Sequence, residues 1–403
     1  VQTHVGTRLV GLDALSNEAP QDAELARFRV PLDPREVRQK LSALKREMEN
    51  HSELFEEADI RRRQEAEERL AAKRHEEAKQ RKLEAEERER RSSREFFACE
   101  DGGRNSRRRA TLHALRTAKG AVLGFREGGS HRIVDMRECH ILVPELFALV
   151  GPLRSLVAEH GARQPVDIEL TLVDEGVDCT LKGIEADGLA ATEALLDFAR
   201  DNALARLSLD RGFGPETVWE PQPLTVTLGS FPVPFPQGSF LQPTEDGEGV
   251  LVGDARAFLD GATTIADLFS GLGTFAFALA GPRKVLAAEA ARDAHLACKA
   301  AAHMRGVPVL ALHRDLFRNP LQPEEAGRFG AILLDPPRAG ARDQVAQIAA
   351  SDAARVAYVS CNPASWARDA RTLVEAGFRL EKLRPVGQFR WSTHVELSSY
   401  FTR

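Results

Sequence analysis

The sequence predicts an α/β protein whose C-terminal part is a doubly wound, mostly parallel sheet, preceded by an α+β domain and a long charged N-terminal helix. Three features support this prediction. From residue 264 onward, short apolar runs alternate with helical patterns. Before that, alternating apolar and polar residues predict hairpins. Residues 33–95 are dominated by charge. We therefore expect a helical arm over 33–95, a central domain over 96–238 and a C-terminal domain over 239–403, with 1–32 unassigned.

Composition indicates a soluble, cytoplasmic protein. The 403 residues are 43% hydrophobic and 29% charged, as in globular chains of two or three domains. The net charge of −5 gives no overall nucleic-acid signature, so a basic surface must be local. The five scattered cysteines suit a reducing compartment. No apolar run reaches the roughly 18 residues of a membrane span, and no signal-peptide pattern is present.

The arm over 33–95 carries two patterns. A seven-residue apolar rhythm would suit a helical contact between copies, formed by Val37, Leu41, Leu44, Met48 and Phe55. Beyond Ile60, Glu and Arg pair four positions apart, which favours a solvated helix. An exposed arm without chemistry is the simpler interpretation. An RNA- or partner-binding arm is the alternative, because residues 61–63 and 79–82 are locally basic.

The central domain concentrates cations around two expected strands, residues 121–125 and 132–134. These cations are Arg104, Arg107, Arg108, Arg109, Lys119, Arg126, His131 and Arg132. They predict a phosphate-tracking surface, and the charged edge of an ordinary sheet explains them equally well. Alternation over 167–173 and 177–182 predicts a hairpin, and 189–202 a helix.

The C-terminal domain contains five apolar runs that predict parallel strands. They cover residues 264–268, 284–288, 308–312, 331–334 and 356–359. In such sheets, ligands bind beyond the carboxyl ends of the strands. Functional residues are therefore expected directly after each run.

The first run ends in a glycine-rich turn that contains Gly271 and Gly273. Glycines there allow a tight turn against a nucleotide-like ligand, and the spacing also fits a nicotinamide-dependent oxidoreductase. Glu289, after the second run, could accept hydrogen bonds from ribose hydroxyls. Asp315, after the third, is either a helix N-cap or an adenine contact.

The last two runs end in groups that could carry chemistry. Asp335 precedes two prolines, which give a stiff turn and hold the carboxylate in place. Cys361 lies where a strand gives way to a helix, where the helix dipole would bias its thiol toward thiolate. A small buried core residue is the simpler interpretation of Cys361 alone.

Four ordered motifs resemble the RNA 5-methyluridine methyltransferase family: D-L-F-S-G-L-G-T-F, L-L-D-P-P-R-A-G, Y-V-S-C-N-P-A-S-W-A-R-D and Q-F-R-W-S-T-H-V-E. The likeness runs from about Arg104 to the C-terminus. It implies S-adenosylmethionine as methyl donor, RNA as substrate and RNA binding by the central domain. It further implies that Cys361 is the nucleophile and Glu396 the base. The positions implied to contact the methyl donor are Gln242, Phe269, Thr274, Glu289, Asp315 and Asp335, around the glycine turn.

The chemistry explains these residue types. Carbon 5 of uracil is a poor nucleophile, so a thiolate adds to carbon 6 and converts the ring into an enolate. After methylation, a base must remove the proton on carbon 5 before the cysteine can leave. A stacked uridine is out of reach, so a flipped or single-stranded base is expected. Phe389 and Trp391 would stack on it or line the core.

The chain departs from the family at its N-terminus. Members often carry a β-barrel and an iron–sulfur cluster. Here Cys139 matches one cluster ligand, whereas the sequence after Cys99 does not supply the others, so we expect no cluster and no other metal. Ribosomal RNA is favoured over transfer RNA as the substrate. A catalytically impaired RNA-binding protein and a nicotinamide-dependent oxidoreductase are the alternatives.

Overall fold

The computed structural model describes residues 103–403, apart from 162–163, 185–186 and 389–393, and parts of the arm between residues 33 and 82. Cys99, Phe389, Trp391 and the five residues of the seven-residue rhythm lie outside the described residues. The chain divides into two units, Val1–Arg88 and Glu89–Arg403. In the first unit, the described residues from 35 to 82 are helical and exposed. The length of this helix and its self-association stay predictions.

In its described residues, the central domain is a six-stranded sheet with three helices. The strands are β1 Arg109–Thr117, β2 Gly120–Gly124, β3 Val166–Val173, β4 Gly176–Lys182, β5 Arg206–Asp210 and β6 Pro215–Trp219. The helices are α1 Pro144–Ala148, α2 Val150–His160 and α3 Leu189–Asp201. The sheet order is β2-β1-β3-β4-β5-β6. Alternate residues of β1, such as Leu112, are buried with apolar residues of the helices, because successive side chains of a strand point to opposite faces.

Two predictions for this domain have different outcomes. The hairpin is confirmed, since β3 and β4 pair antiparallel around the turn at Gly176. The expected strand over 132–134 is confirmed only in part: Glu127 N–H donates to the Arg132 carbonyl and Val134 N–H to the Phe125 carbonyl, both at 2.9 Å, but the segment forms a single bridge, between Arg126 and Ile133, instead of a continuous strand. Just beyond it, the Asp135 carboxylate accepts the Leu123 N–H at 3.4 Å. The Asp135 side chain thus accepts a backbone N–H that would pair with a backbone carbonyl in a continuous strand ladder.

The C-terminal domain is a seven-stranded sheet that follows a two-stranded hairpin. The hairpin is β7 Thr225–Leu228 with β8 Phe231–Pro234. The sheet strands are β9 Thr264–Leu268, β10 Lys284–Glu289, β11 Val309–His313, β12 Ala331–Leu334, β13 Arg355–Ser360, β14 Arg379–Val386 and β15 Glu396–Thr402. The helices are α4 Glu245–Phe258, α5 Thr274–Leu279, α6 Arg292–Arg305, α7 Pro323–Ala326, α8 Arg342–Ala350 and α9 Pro363–Glu375.

The order β11-β10-β9-β12-β13-β15-β14 confirms the doubly wound, mostly parallel sheet. The first five strands in this order are parallel, and β15 and β14 are antiparallel additions at one edge. The chain reverses direction across the sheet at β9, so β10 lies on one side of β9 and β12 on the other. A crevice opens beyond the carboxyl ends of the strands at such a reversal. Separate apolar clusters pack on the two faces of the sheet.

Arg108 joins the two domains instead of lying on a basic surface. Its side chain is buried, Nη2 donates to Glu248 at 2.5 Å, and Nε donates to the Gln242 carbonyl at 3.1 Å. Arg126 lies 3.3 Å from the Asp167 carboxylate, and this carboxylate also lies 2.7 Å from His113. At least these cations of the predicted phosphate surface are engaged with acidic groups. Among the described residues, we find no helix long and apolar enough to cross a membrane.

Candidate active site

The predicted site residues lie on the loops at the carboxyl edge of the parallel strands. The loop after β9 carries the glycine turn, β10 ends in Glu289, and Asp315 follows β11. Asp335 follows β12 and Cys361 follows β13, while Glu396 begins the antiparallel β15. Because β13 and β15 are paired with Ser360 opposite Leu397, Glu396 and Cys361 are brought to the same end of the sheet. The topology therefore collects residues that lie far apart in sequence.

The glycine turn has left-handed backbone at three positions. Phe269, Gly271 and Gly273 have φ values of 63°, 55° and 95°. A Cβ on Gly273 would lie 2.9 Å from the Phe277 ring and 3.1 Å from Cys298 Sγ, so only glycine allows α5 to pack this closely. A Cβ on Gly271 would meet no atom within 4 Å. The turn is therefore closed toward the core and open on the side of Gly271, next to Thr274 at the start of α5.

Glu289 holds the glycine turn through backbone contacts. One carboxylate oxygen accepts the Gly271 N–H at 2.8 Å and the other accepts the Ala291 N–H at 2.7 Å. The turn after β9 is thus tied to the end of β10. Each oxygen keeps a free lone pair that could accept from a ligand hydroxyl.

Asp315 forms the hydrogen bonds of a cap. Oδ1 accepts the N–H groups of Phe317 and Arg318 at 3.0 and 3.2 Å, but residues 316–318 form a turn and no helix begins here, so the helix N-cap interpretation is wrong. These bonds hold the Phe317 ring 5.3 Å from the ring of Phe269. An adenine contact by Asp315 stays a prediction.

Asp267 was not among the predicted site residues, although it is the acid inside the β9 run. It is fully buried, and within the described part of the chain neither carboxylate oxygen has a hydrogen bond of normal geometry. Burial raises the pKa of Asp267 to about 7, although the facing N–H of Ala276 offsets part of this shift. The hydroxyl of Ser270 is also buried and unpaired in the same described region. Unpaired buried polar groups beside an open turn indicate a place for a polar ligand.

Gln242 and Asp335 are in contact, although 93 positions separate them in sequence. Gln242 Nε2 donates to Asp335 Oδ2 at 3.3 Å. Burial raises the pKa of Asp335 well above its ordinary value, and the neighbouring Glu396 and Asp267 carboxyl groups raise it further. Burial and the neighbouring acids therefore both favour the protonated form of Asp335.

Cys361 lies at the predicted strand-to-helix junction, but its predicted low pKa is wrong. Burial raises the pKa of the thiol, and the carboxyl groups of Glu396 and Asp335 raise it further. The end of α9 offers little compensation, because the Asn362 side chain already accepts the Ala364 N–H at 3.1 Å. A helix terminus favours a thiolate only when no stronger local charge opposes it.

Glu396 is 5% exposed, and burial raises the pKa of its carboxyl to about 7. The positive charge of Arg338 opposes this shift. A carboxyl group with a pKa near neutrality can accept or return a proton at physiological pH, which suits a general base. The sequence motif located Glu396, but only its burial sets this property.

The loop after Asp335 is held by α9, an arrangement that the sequence analysis missed. Asn362 Nδ2 donates to the Arg338 carbonyl at 2.9 Å, and Arg368 Nη2 donates to the Ala339 carbonyl at 3.0 Å. Asp369 Oδ2 accepts the Ala341 N–H and the Tyr358 hydroxyl, both at 2.7 Å. The C-N-P-A-S-W-A-R-D motif therefore fixes the D-P-P-R-A-G loop as well as presenting Cys361.

In the described part of the chain, no three His, Cys, Asp or Glu side chains are grouped so that they could hold a metal ion. Cys139, the predicted match to one cluster ligand, is half-buried, and its Sγ accepts the N–H groups of Ile141 and Leu142.

Comparisons with known proteins agree with these motifs. The tRNA (Uracil-5-)-methyltransferase family profile matches residues 221–403. An uncharacterised RNA methyltransferase of Zymomonas mobilis is 49% identical over 299 residues, covering 74% of this chain and 75% of its own length. The 23S rRNA (uracil(1939)-C(5))-methyltransferase RlmD of Edwardsiella ictaluri is 32% identical over 313 residues, covering 76% and 71%.

A solved structure shares the fold. It is the tRNA (uracil-54, C5)-methyltransferase of Pyrococcus abyssi in complex with S-adenosyl-L-homocysteine, with a TM-score of 0.60 and 20% identity. The match covers 74% of this chain and 76% of that chain. The similarity of sequence to the relatives extends over both the central and the C-terminal domain. The chain therefore belongs to the RNA uracil-C5 methyltransferase family.

Proposed function

We propose that this protein transfers a methyl group from S-adenosylmethionine to carbon 5 of a uridine in RNA, with ribosomal RNA as the preferred substrate. The observation that carries this proposal is the grouping of a thiol with two buried carboxyl groups, Cys361 with Glu396 and Asp335, beside an open glycine turn. The ribosomal preference rests on the similarity to RlmD over both domains. Family membership gives no support to the oxidoreductase alternative.

The residues around the glycine turn suit S-adenosylmethionine. Glu289 would accept from the ribose hydroxyls, and Phe269 and Asp315 would flank the adenine. Gln242, Thr274 and Asp335 would surround the amino-acid end and the sulfonium. The unpaired carboxylate of Asp267 supports a ligand with polar, positively charged groups at this place. Bound there, S-adenosylmethionine supplies an electrophilic methyl group.

Cys361 would add to carbon 6 of the uracil ring. The new bond between Sγ and carbon 6 moves the ring electrons toward the carbonyl oxygen at position 4, and carbon 5 becomes nucleophilic. Because the pKa of the Cys361 thiol is raised, the thiol must lose its proton before the attack. The fraction of reactive thiolate, and with it the rate of addition, should increase with pH.

Glu396 would complete the reaction as the general base. Once carbon 5 carries the methyl group, its remaining proton must leave before the bond between carbon 6 and Cys361 can break. The Glu396 carboxylate accepts that proton, the ring double bond forms again, and Cys361 departs. A pKa of about 7 for Glu396 allows the carboxylate to be present at neutral pH and to release the proton to water afterwards.

The test incubates purified protein with unmodified ribosomal or transfer RNA and S-adenosylmethionine labelled in its methyl group. Label in 5-methyluridine with the wild-type protein and none with Cys361→Ala is the expected result. Cys139→Ala is the matched control, because it removes another half-buried thiol that lies outside this site. Comparison of the two RNAs tests the ribosomal preference. Binding of RNA without any transfer would favour the alternative of a catalytically impaired RNA-binding protein.

A further inference from the structure

Gln388, the first residue of the Q-F-R-W-S-T-H-V-E motif, adds to the site a side chain to which the motif alone assigned no role. It follows β14, its side chain is 4% exposed, and its Nε2 donates to Gln242 Oε1 at 3.3 Å. Gln242 then donates from Nε2 to Asp335 Oδ2 at the same distance. The three side chains form a row in which each amide donates toward Asp335. We call this row, Gln388, Gln242 and Asp335, the amide relay.

The direction of the relay has a physical cause. A side-chain amide has one accepting end and one donating end. Because Gln388 occupies the accepting end of Gln242, the donating end of Gln242 must face Asp335. Without Gln388, Gln242 could turn by 180° and present its oxygen to Asp335 instead. An oxygen favours only the protonated form of a carboxyl group, whereas an N–H stabilises the ionised form.

The relay depends on a glycine in another element. A Cβ on Gly247, in the first turn of α4, would lie 2.5 Å from Cγ and 2.7 Å from Cδ of Gln388. Real Cβ atoms do not approach neighbours this closely, so any larger residue at 247 would displace Gln388 and would also press on the hydroxyl of Thr244, which would lie 2.8 Å away. Gly249 and Gly253 lie in the same helix, and a Cβ on either would meet no atom within 4 Å. The helix thus has one glycine under Gln388 and two that face open space.

We infer that Gln388 is a positioning residue that fixes the orientation of the Gln242 amide, and that Gly247 leaves the space in which the Gln388 side chain packs. This inference deepens the proposed function, because it concerns how the same site holds its methyl donor and uridine. Gln388 acts on the reaction only through Gln242. A role of this kind can be distinguished from simple packing by Gln388→Leu, which keeps an apolar side chain of similar size in place, so that a change in the Asp335 titration reports the lost amide and not lost burial.

The first experiment measures the pKa of Asp335 by carbon NMR of protein labelled in its aspartate carboxyl groups, without any ligand. Asp335→Asn identifies the signal. Gln388→Leu should raise the pKa of Asp335 above the wild-type value, since Gln242 loses the partner that orients it. Gln388→Glu should raise it more, because a carboxylate can only accept and would make Gln242 turn its N–H groups away from Asp335. Glu396 and Asp267, which also raise this pKa, are unchanged in both variants.

The second experiment measures kcat/KM of methyl transfer. Gln388→Leu should lower it roughly fivefold, as expected for the loss of one buried hydrogen bond. Gly247→Ala should reproduce the effects of Gln388→Leu on both measurements, whereas Gly249→Ala should leave kcat/KM within about twofold of wild type. An unchanged Asp335 titration in Gln388→Leu, or equal effects of the two glycine variants, would overturn the inference. If wild-type protein transfers no methyl group, the proposed function fails, and the titration still decides the amide relay.

Discussion

Replacement of Gly340 tests whether α9 truly fixes the loop that follows Asp335. Gly340 has a φ of 78°, and a Cβ there would lie 2.6 Å from Arg368 Nη2 and 2.6 Å from Asp369 Oδ2. Gly377, just beyond the end of α9, has a similar φ of 92°, but a Cβ there would meet no atom within 4 Å. Replacing either glycine with alanine therefore strains the backbone to a similar extent, but only at Gly340 does the new methyl group collide with neighbouring side chains.

The expected magnitudes follow from this difference. Gly377→Ala places an ordinary residue in left-handed backbone, which costs about 1–2 kcal/mol. Gly340→Ala carries the same strain and also forces a methyl group into a closed network, which adds about 1–3 kcal/mol. We expect the free energy of unfolding to fall by roughly 2–5 kcal/mol for Gly340→Ala. Urea denaturation of both variants measures the difference.

Activity gives the second readout. If the Gly340 loop moves away from α9, the Asp335 carboxylate shifts with it, and kcat/KM should fall about tenfold or more. Gly377→Ala lies at the opposite end of the helix and should keep wild-type kcat/KM. Equal losses of stability in the two variants, with activity retained in Gly340→Ala, would show that the loop is not held by Arg368 and Asp369.

Three further predictions concern the acids of the site and the contact between the domains. Glu396→Gln should leave RNA bound covalently to Cys361, visible as a slowly migrating band in a denaturing gel. The variant should also lose the increase of the methylation rate with pH that is centred near pH 7 in the wild type. Absence of the band would argue against Glu396 as the base. Asp267 has a folded-state pKa of about 7, above its unfolded value of 3.8, so its contribution to stability is complete below about pH 4 and is lost as the pH rises toward 7. Asp267→Asn should therefore remove about 3 kcal/mol of that decline between pH 5 and pH 8, measured by comparing the unfolding of wild type and variant at these two values, and should weaken binding of S-adenosylmethionine; an identical pH dependence in both proteins would contradict the assignment. Arg108→Met leaves the half-buried Glu248 carboxylate without its partner and should lower the free energy of unfolding by about 3 kcal/mol, with most of the loss recovered in the double variant with Glu248→Leu; no recovery would show that the ion pair is not the cause.

The sequence by itself determined the architecture of the C-terminal domain. The mostly apolar runs at 264–268 and 331–334 coincide with β9 and β12, because a strand buried on both faces is predominantly apolar. The motifs also located the site, since parallel strands bring their carboxyl ends to one edge of the sheet whatever the lengths between them. The placement of Cys361, Asp335 and the glycine turn at this edge follows from this rule alone. The segment 132–134, which forms one bridge in place of a continuous strand, shows the limit of this reasoning, since so short a segment carries no strong periodicity.

Only the tertiary structure decided the properties of the groups at that edge. The helix dipole at Cys361 predicted a low pKa, but the neighbours that raise it come from β12 and β15, which no local pattern connects to the thiol. Arg108 appeared in a run of cations, yet its burial against α4 makes it a contact between domains. The amide relay joins residues 93 and 146 positions apart. Sequence patterns determine backbone and burial because these repeat along the chain, whereas pKa values and hydrogen bonds depend on which distant groups the fold brings together.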